Sequence, residues 1–141
     1  MAANTIPIFT LTPKVNFANL LAANANTALD GTGTVSTVFT AGSNGSFVNN
    51  LIVKASTTTA TSAAGTLRIW INNGSTSGTA TNNTLIREYV LTAVTASATV
   101  ATLNFEFPLN LQLPASYTII VTVATMAAST GWQFTCTGAD Y

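Results

Sequence analysis

Few side chains in this sequence can do chemistry, and their types narrow what that chemistry is. The acids are Asp30, Glu88, Glu106 and Asp140, and the bases are Lys14, Lys54, Arg68 and Arg87. Histidine is absent and Cys136 is the one cysteine. That removes the commonest general base, the usual metal ligand and the Ser-His and Cys-His nucleophile pairs. Zinc held by a Cys/His cluster is excluded, and no internal disulfide can form. Two carboxylates can act as the acid and base of a glycosidase, but no spacing here brings two together. Glu88 and Glu106 sit with Arg68 and Arg87 in strand-like segments, where cross-strand ion pairs are common. Cys136 alternates with Trp132 and Phe134, which predicts a buried, inert thiol. Gly31-Thr32-Gly33 lacks the lysine and spacing of a phosphate loop. Asp30 and the nearby Asn residues form no calcium-loop pattern. No catalytic residue, metal or cofactor is expected.

The elements that hold these residues read as strands. Thr, Val, Ile, Phe, Tyr and Trp suit a pleated surface, and strand signals recur over 6–11, 35–40, 46–56, 66–72, 85–92, 99–107, 117–124 and 132–137. Period-two alternation places Leu67, Ile69 and Ile71 on one face and Thr66, Arg68 and Trp70 on the other. It groups Leu103, Phe105 and Phe107 likewise, and Tyr117, Ile119, Val121 and Val123. Pro13 should stop the first strand and Pro108 should end the sixth, while Pro7 demotes the opening stretch to an edge or an arm. The lone helical candidate, 19–29, is weakened by Asn24, Asn26 and Thr27. The expectation is an all-β fold: a two-sheet β-sandwich, jelly-roll-like, of about eight strands. Residues 1–12 form an extended N-terminal arm or edge strand, and 13–141 form the sandwich domain.

Composition bounds the partners. At 141 residues the chain is sized for one domain. Four basic and four acidic residues cancel, and 6% of residues are charged, against roughly 25% for an ordinary soluble domain. No basic footprint exists for nucleic acid, and nothing would attract an anionic membrane. The opening MAANTIPIFTLTPK has neither the basic region nor the apolar core of a signal peptide. No apolar run approaches the ~18 residues of a spanning helix. A net charge near zero favours association, so a subunit covered by copies or partners fits this composition. Threonine-rich outer faces suit either packing on another protein or an ordinary solvated sheet.

The loop 75–81 contains only Ser, Thr, Gly and Ala, bracketed by Asn72-Asn73-Gly74 and Asn82-Asn83-Thr84. Such a loop is either a disordered surface tip or a contact with a neighbouring subunit, and the lack of charge across the whole chain favours contact. Asn-Gly here and at Asn44-Gly45 reads as turn chemistry. Trp70 alternates away from the apolar set, which makes it the best candidate for an exposed or interface aromatic. Trp70, Tyr89, Tyr117, Trp132 and Tyr141 could also supply an aromatic platform for a sugar, or pack in the core and at interfaces.

Asn4-Thr5-Ile6-Pro7-Ile8-Phe9-Thr10-Leu11-Thr12-Pro13, Ile71-Asn72-Asn73-Gly74-Ser75, Asn82-Asn83-Thr84-Leu85, Leu113-Pro114-Ala115-Ser116-Tyr117 and the closing Gly131-Trp132 to Gly138-Ala139-Asp140-Tyr141 resemble small virion structural proteins of tailed bacteriophages. That resemblance implies a non-enzymatic capsid decoration, or cement, protein. Such a protein would be a homotrimer on the capsid surface, made in the host cytoplasm. It would bind the major capsid protein or neighbouring virion proteins. An arm over 2–11, with Ile6, Pro7, Ile8 and Phe9, would reach a neighbour, and Trp70 would add a second contact. A tail, fibre or head-fibre component, and a carbohydrate-binding surface module, are the competing expectations.

Overall fold

The computed structural model describes residues 9–21, 24–56 and 61–141. Eight strands follow in order: β1 (Thr12–Leu21), β2 (Ser36–Thr40), β3 (Ser46–Ala55), β4 (Gly65–Asn72), β5 (Asn83–Leu91), β6 (Asn104–Leu113), β7 (Thr118–Val123) and β8 (Gly131–Asp140). One antiparallel sheet runs β1-β8-β3-β6 and the other β2-β7-β4-β5. This is the strand order of the two-sheet, eight-stranded jelly roll. The expected all-β sandwich is what the chain forms.

The inner faces follow the period-two pattern. Trp132, Phe134 and Cys136 of β8, and Ile119, Val121 and Val123 of β7, are buried in one core with Leu51, Leu67 and Ile69. Aromatics close the side where β5 lies over β6. Tyr89 stacks on Phe107 with centroids 3.9 Å apart, and Phe105 meets Trp132 edge-on at 5.9 Å. The β2–β3 turn is closed by Gly45 N–H donating to the Gly42 carbonyl. Gly45 has φ 88°, and a Cβ there would lie 2.7 Å from the Leu113 carbonyl oxygen, so only glycine fits.

Two sequence expectations, the first strand with its stop at Pro13 and the end of the sixth strand, need correction. Of the expected strand 6–11, residues 6–8 fall outside the described residues and 9–11 are not strand. The first strand instead starts at Thr12 and runs through Pro13, pairing with β8 from Thr12↔Asp140 to Leu21↔Gly131. An edge strand tolerates a proline because one side of it has no ladder to break. Of the weakened helical candidate 19–29, residues 19–21 complete β1 and residues 25–29 are not helical. Pro108 does not end β6, which continues to Leu113. It sits on the edge of its sheet, opposite Asn50, where the register slips and Asn110 takes φ 50°.

The expected exposure of Trp70 is also overturned. Trp70 is 2% exposed, yet it faces away from the core between the sheets. Its indole N–H donates to Thr122 Oγ1 on β7 at 3.3 Å. Asn26 N–H bonds the Val123 carbonyl at one end of the sheet, while Asp30 and Gly31 lie against Asn83 at the other. The segment between those anchors crosses the outer face that carries Ile120, Trp70 and Thr122. Asn26 holds it closed, donating to the Thr32 and Thr34 carbonyls at 2.7 and 2.8 Å and accepting from Ala28 N–H.

Candidate functional site

The charged side chains are positioned by strands and most are bound within the chain. Lys14 on β1 donates to the Thr40 carbonyl at 2.6 Å and reaches Asp140 at 3.1 Å, with its ammonium 5.3 Å from the Phe39 ring centroid. Asp140 also accepts from the Ser46 hydroxyl and from Gly42 N–H. The Ser46 hydrogen bond, then Lys14, holds the Asp140 carboxyl below its ordinary range. This group clasps the first strand, the last strand and the β2–β3 turn at one end of the sandwich.

Arg68 Nε donates to Glu88 at 2.8 Å across the β4–β5 pair, the cross-strand pairing expected of them. The Arg68 side chain is 11% exposed and its Nη1 is buried without a partner among the described residues. Glu106 accepts from Asn50, whose own oxygen accepts from Thr137. Glu88 and Glu106 therefore lie in different sheets, each bound to a different neighbour. Asp30 accepts from the Thr32 hydroxyl and backbone N–H, which lowers its pKa. Burial pushes the Cys136 thiol up to about 12, so it stays protonated and unreactive. Among the described residues no three of the metal-ligating types come together.

The loop after β4 is ordered by asparagine side chains. Asn72 Nδ2 donates to Asn83 Oδ1 at 2.9 Å, and Asn72 Oδ1 accepts from Gly74 N–H. Asn82 reaches the Thr76 carbonyl and Asn83 the Ser77 carbonyl. A 3-10 turn over Ala80–Asn82 completes it. Asparagine serves here because its amide offers both donors and an acceptor where no strand can pair.

The surface feature that stands out is β1. Its burial pattern is inverted relative to the other strands. Lys14, Asn16 and Ala18 turn inward, while Val15 and Phe17 turn outward. With Phe9, Leu11 and Leu21 they make a stripe along one edge of the sheet, at 73, 80, 64, 79 and 56% exposure for Phe9, Leu11, Val15, Phe17 and Leu21. Single exposed apolar residues are ordinary, but five along one edge, broken only by Pro13 and Asn19, are not. Beside the stripe, β8 presents Gln133, Thr135 and Thr137, and β6 presents Asn104 and Glu106.

Of the residues singled out from sequence, Ile6, Pro7 and Ile8 lie outside the described residues, Phe9 begins this stripe, and Trp70 is buried away from it. Val15, Phe17 and Leu21 are not among the sequence candidates. Their signal is the alternation Lys14-Val15-Asn16-Phe17, hidden because Pro13 reads as a strand stop. No protein-family model matches the chain, and no curated protein matches it.

Proposed function

We propose that this chain is a non-enzymatic structural subunit of a virion, a capsid decoration protein that reinforces the outer lattice by burying apolar surface against its neighbours. The observation that carries this reading is the outward apolar stripe of β1. A chain with so few charges, most of them bound internally, still exposes five large apolar side chains in one row. Such a row is stable in water only when covered. Each square ångström covered contributes about 25 cal/mol, and lattice symmetry repeats the contribution. The jelly-roll fold is compatible, since capsid and lectin domains both use it, but a fold does not assign a role.

The test is to image assembled particles by cryo-microscopy and to measure binding of the purified protein to undecorated capsids across a salt series. Density on the capsid surface and salt-insensitive binding are expected. Absence from the particle, or release by salt alone, would overturn the reading. Density at the tail or in a fibre would establish the competing virion role. The glycan reading rests on Trp70 and Trp132, and both are buried.

A further inference from the structure

A jelly roll has four sheet edges, and three of those in this chain are blunted. β2 is five residues long with an irregular register. β5 carries Arg87 and Glu88 beside a register slip at Ile69/Trp70. β6 has Pro108 and the positive-φ Asn110 in its middle. Short strands, bulges, charge and proline are the devices that keep edges from pairing. β1 is different: it has ten residues, a proline only at its second position, an unbroken register with β8, and no strand on its other side among the described residues. Its one charge, Lys14, is turned into the sandwich and bound by Thr40 and Asp140.

From these edges we infer that β1 pairs with β1 of a second copy, antiparallel across a two-fold axis, joining two four-stranded sheets into one of eight. Of the four edges only β1 keeps an unbroken register over this length, with its proline near one end and Lys14 to Leu21 free of one, so within this chain it is the matching partner for itself. The stripe's position supports edge pairing over face-to-face stacking. Apolar side chains line the edge strand, while the middle of that face is mostly Thr, Gln, Asn and Lys, with Ile52 and Phe47 half-buried among them. Joining edges sets the two apolar rows side by side, each covering the other's flank, and leaves the middle of the face in water. A two-fold through the outer edge keeps both stripes on the same face of the joined sheet. Centred on Asn16, it sets Val15 opposite Phe17 of the second copy and Leu11 opposite Leu21. Directly opposed side chains lie about 5 Å apart at Cβ, close enough for these apolar pairs to meet. At roughly 200 Å² for a fully exposed large side chain, the five exposed residues present about 700 Å² per copy, of which edge pairing covers the flanks that face the second copy. Two-fold pairing gives an even copy number, unlike the trimer that the resemblance implies. The inference does not depend on the virion role.

The experiment is light scattering and native mass spectrometry of the full chain at micromolar concentration, with the variants Phe17→Lys and Val15→Glu. The wild type should be a dimer. Each variant alone should raise the dimer dissociation constant at least tenfold, with an unchanged circular dichroism spectrum, because both side chains point into solvent. Mixing the two variants should recover a heterodimer, since the ammonium introduced by Phe17→Lys in one copy then faces the carboxylate introduced by Val15→Glu in the other. A wild-type monomer or trimer overturns the proposal, as does a dimer indifferent to Phe17→Lys. Failure of the mixture to recover a heterodimer overturns the Asn16-centred pairing.

Discussion

Trp70 and Thr122 are joined by a 3.3 Å hydrogen bond on the outside of a sheet, in a place as dry as the core. The indole is held from the flank by β7 and shut in by the segment that Asn26 pins. Thr122→Val keeps the shape but leaves the indole N–H without an acceptor. A buried donor stranded in this way costs about 1–3 kcal/mol. Thermal unfolding should register that loss, and Trp70→Ala should cost more, about 3–5 kcal/mol.

Asn26 should behave as the latch of that cover. Asn26→Ala removes two donated hydrogen bonds and one accepted. Tryptophan emission should then shift to longer wavelength as water reaches Trp70, and protease should cut between residues 26 and 35 faster than in the wild type.

Gly31 is strained against substitution twice over. Its φ is 75°, and a Cβ would lie 2.7 Å from the Asn83 Cβ. Gly31→Ala should destabilise by about 1–3 kcal/mol, whereas Gly78→Ala, whose Cβ would meet Thr76 Oγ1 at an unstrained 3.6 Å, should change the melting temperature little.

Asp140 sets a pH dependence with a definite sign. Its folded pKa lies below the ordinary value of 3.8, chiefly through Ser46 and then Lys14. A depressed carboxylate contributes stability that is fully present above the unfolded pKa. That contribution is lost as pH falls from about 4 through the lower folded value. Denaturant midpoints measured from neutral pH downward should therefore fall in that window. Asp140→Asn should flatten the fall, with a neutral-pH cost within about 1 kcal/mol because the pair is part-exposed. Asp30 adds to the same trend with the same sign.

Cys136 should ignore thiol reagents in the native protein and react only on unfolding. Its burial raises the thiol pKa to about 12, so almost no thiolate exists at neutral pH. Labelling kinetics that track global unfolding are expected; fast labelling of the folded chain would contradict the packing.

The inner faces are legible in the sequence because alternation reports burial directly. Trp132-Phe134-Cys136 and Ile119-Val121-Val123 read as inward sets and lie in the core. Trp70 reads wrongly because alternation assigns a side but does not say what covers it; its cover is a loop contributed from well before it in the chain. β1 is obscured for two physical reasons. Proline at its second position mimics a stop unless the strand is known to be an edge, and its apolar residues point the wrong way for a core strand. The Asn network around Asn72 and Asn83 is legible as turn chemistry at both ends, although not as the side-chain bridge between them.

The strand that begins the fold is completed by the strand that ends it. Thr12 lies beside Asp140 and Leu21 beside Gly131. On a ribosome β1 emerges well before β8, the strand that supplies its ladder. Pairings this distant in sequence also make for slow closure. The apolar edge is thus assembled only after β8 has been made, when the seven strands before it are already available to meet it.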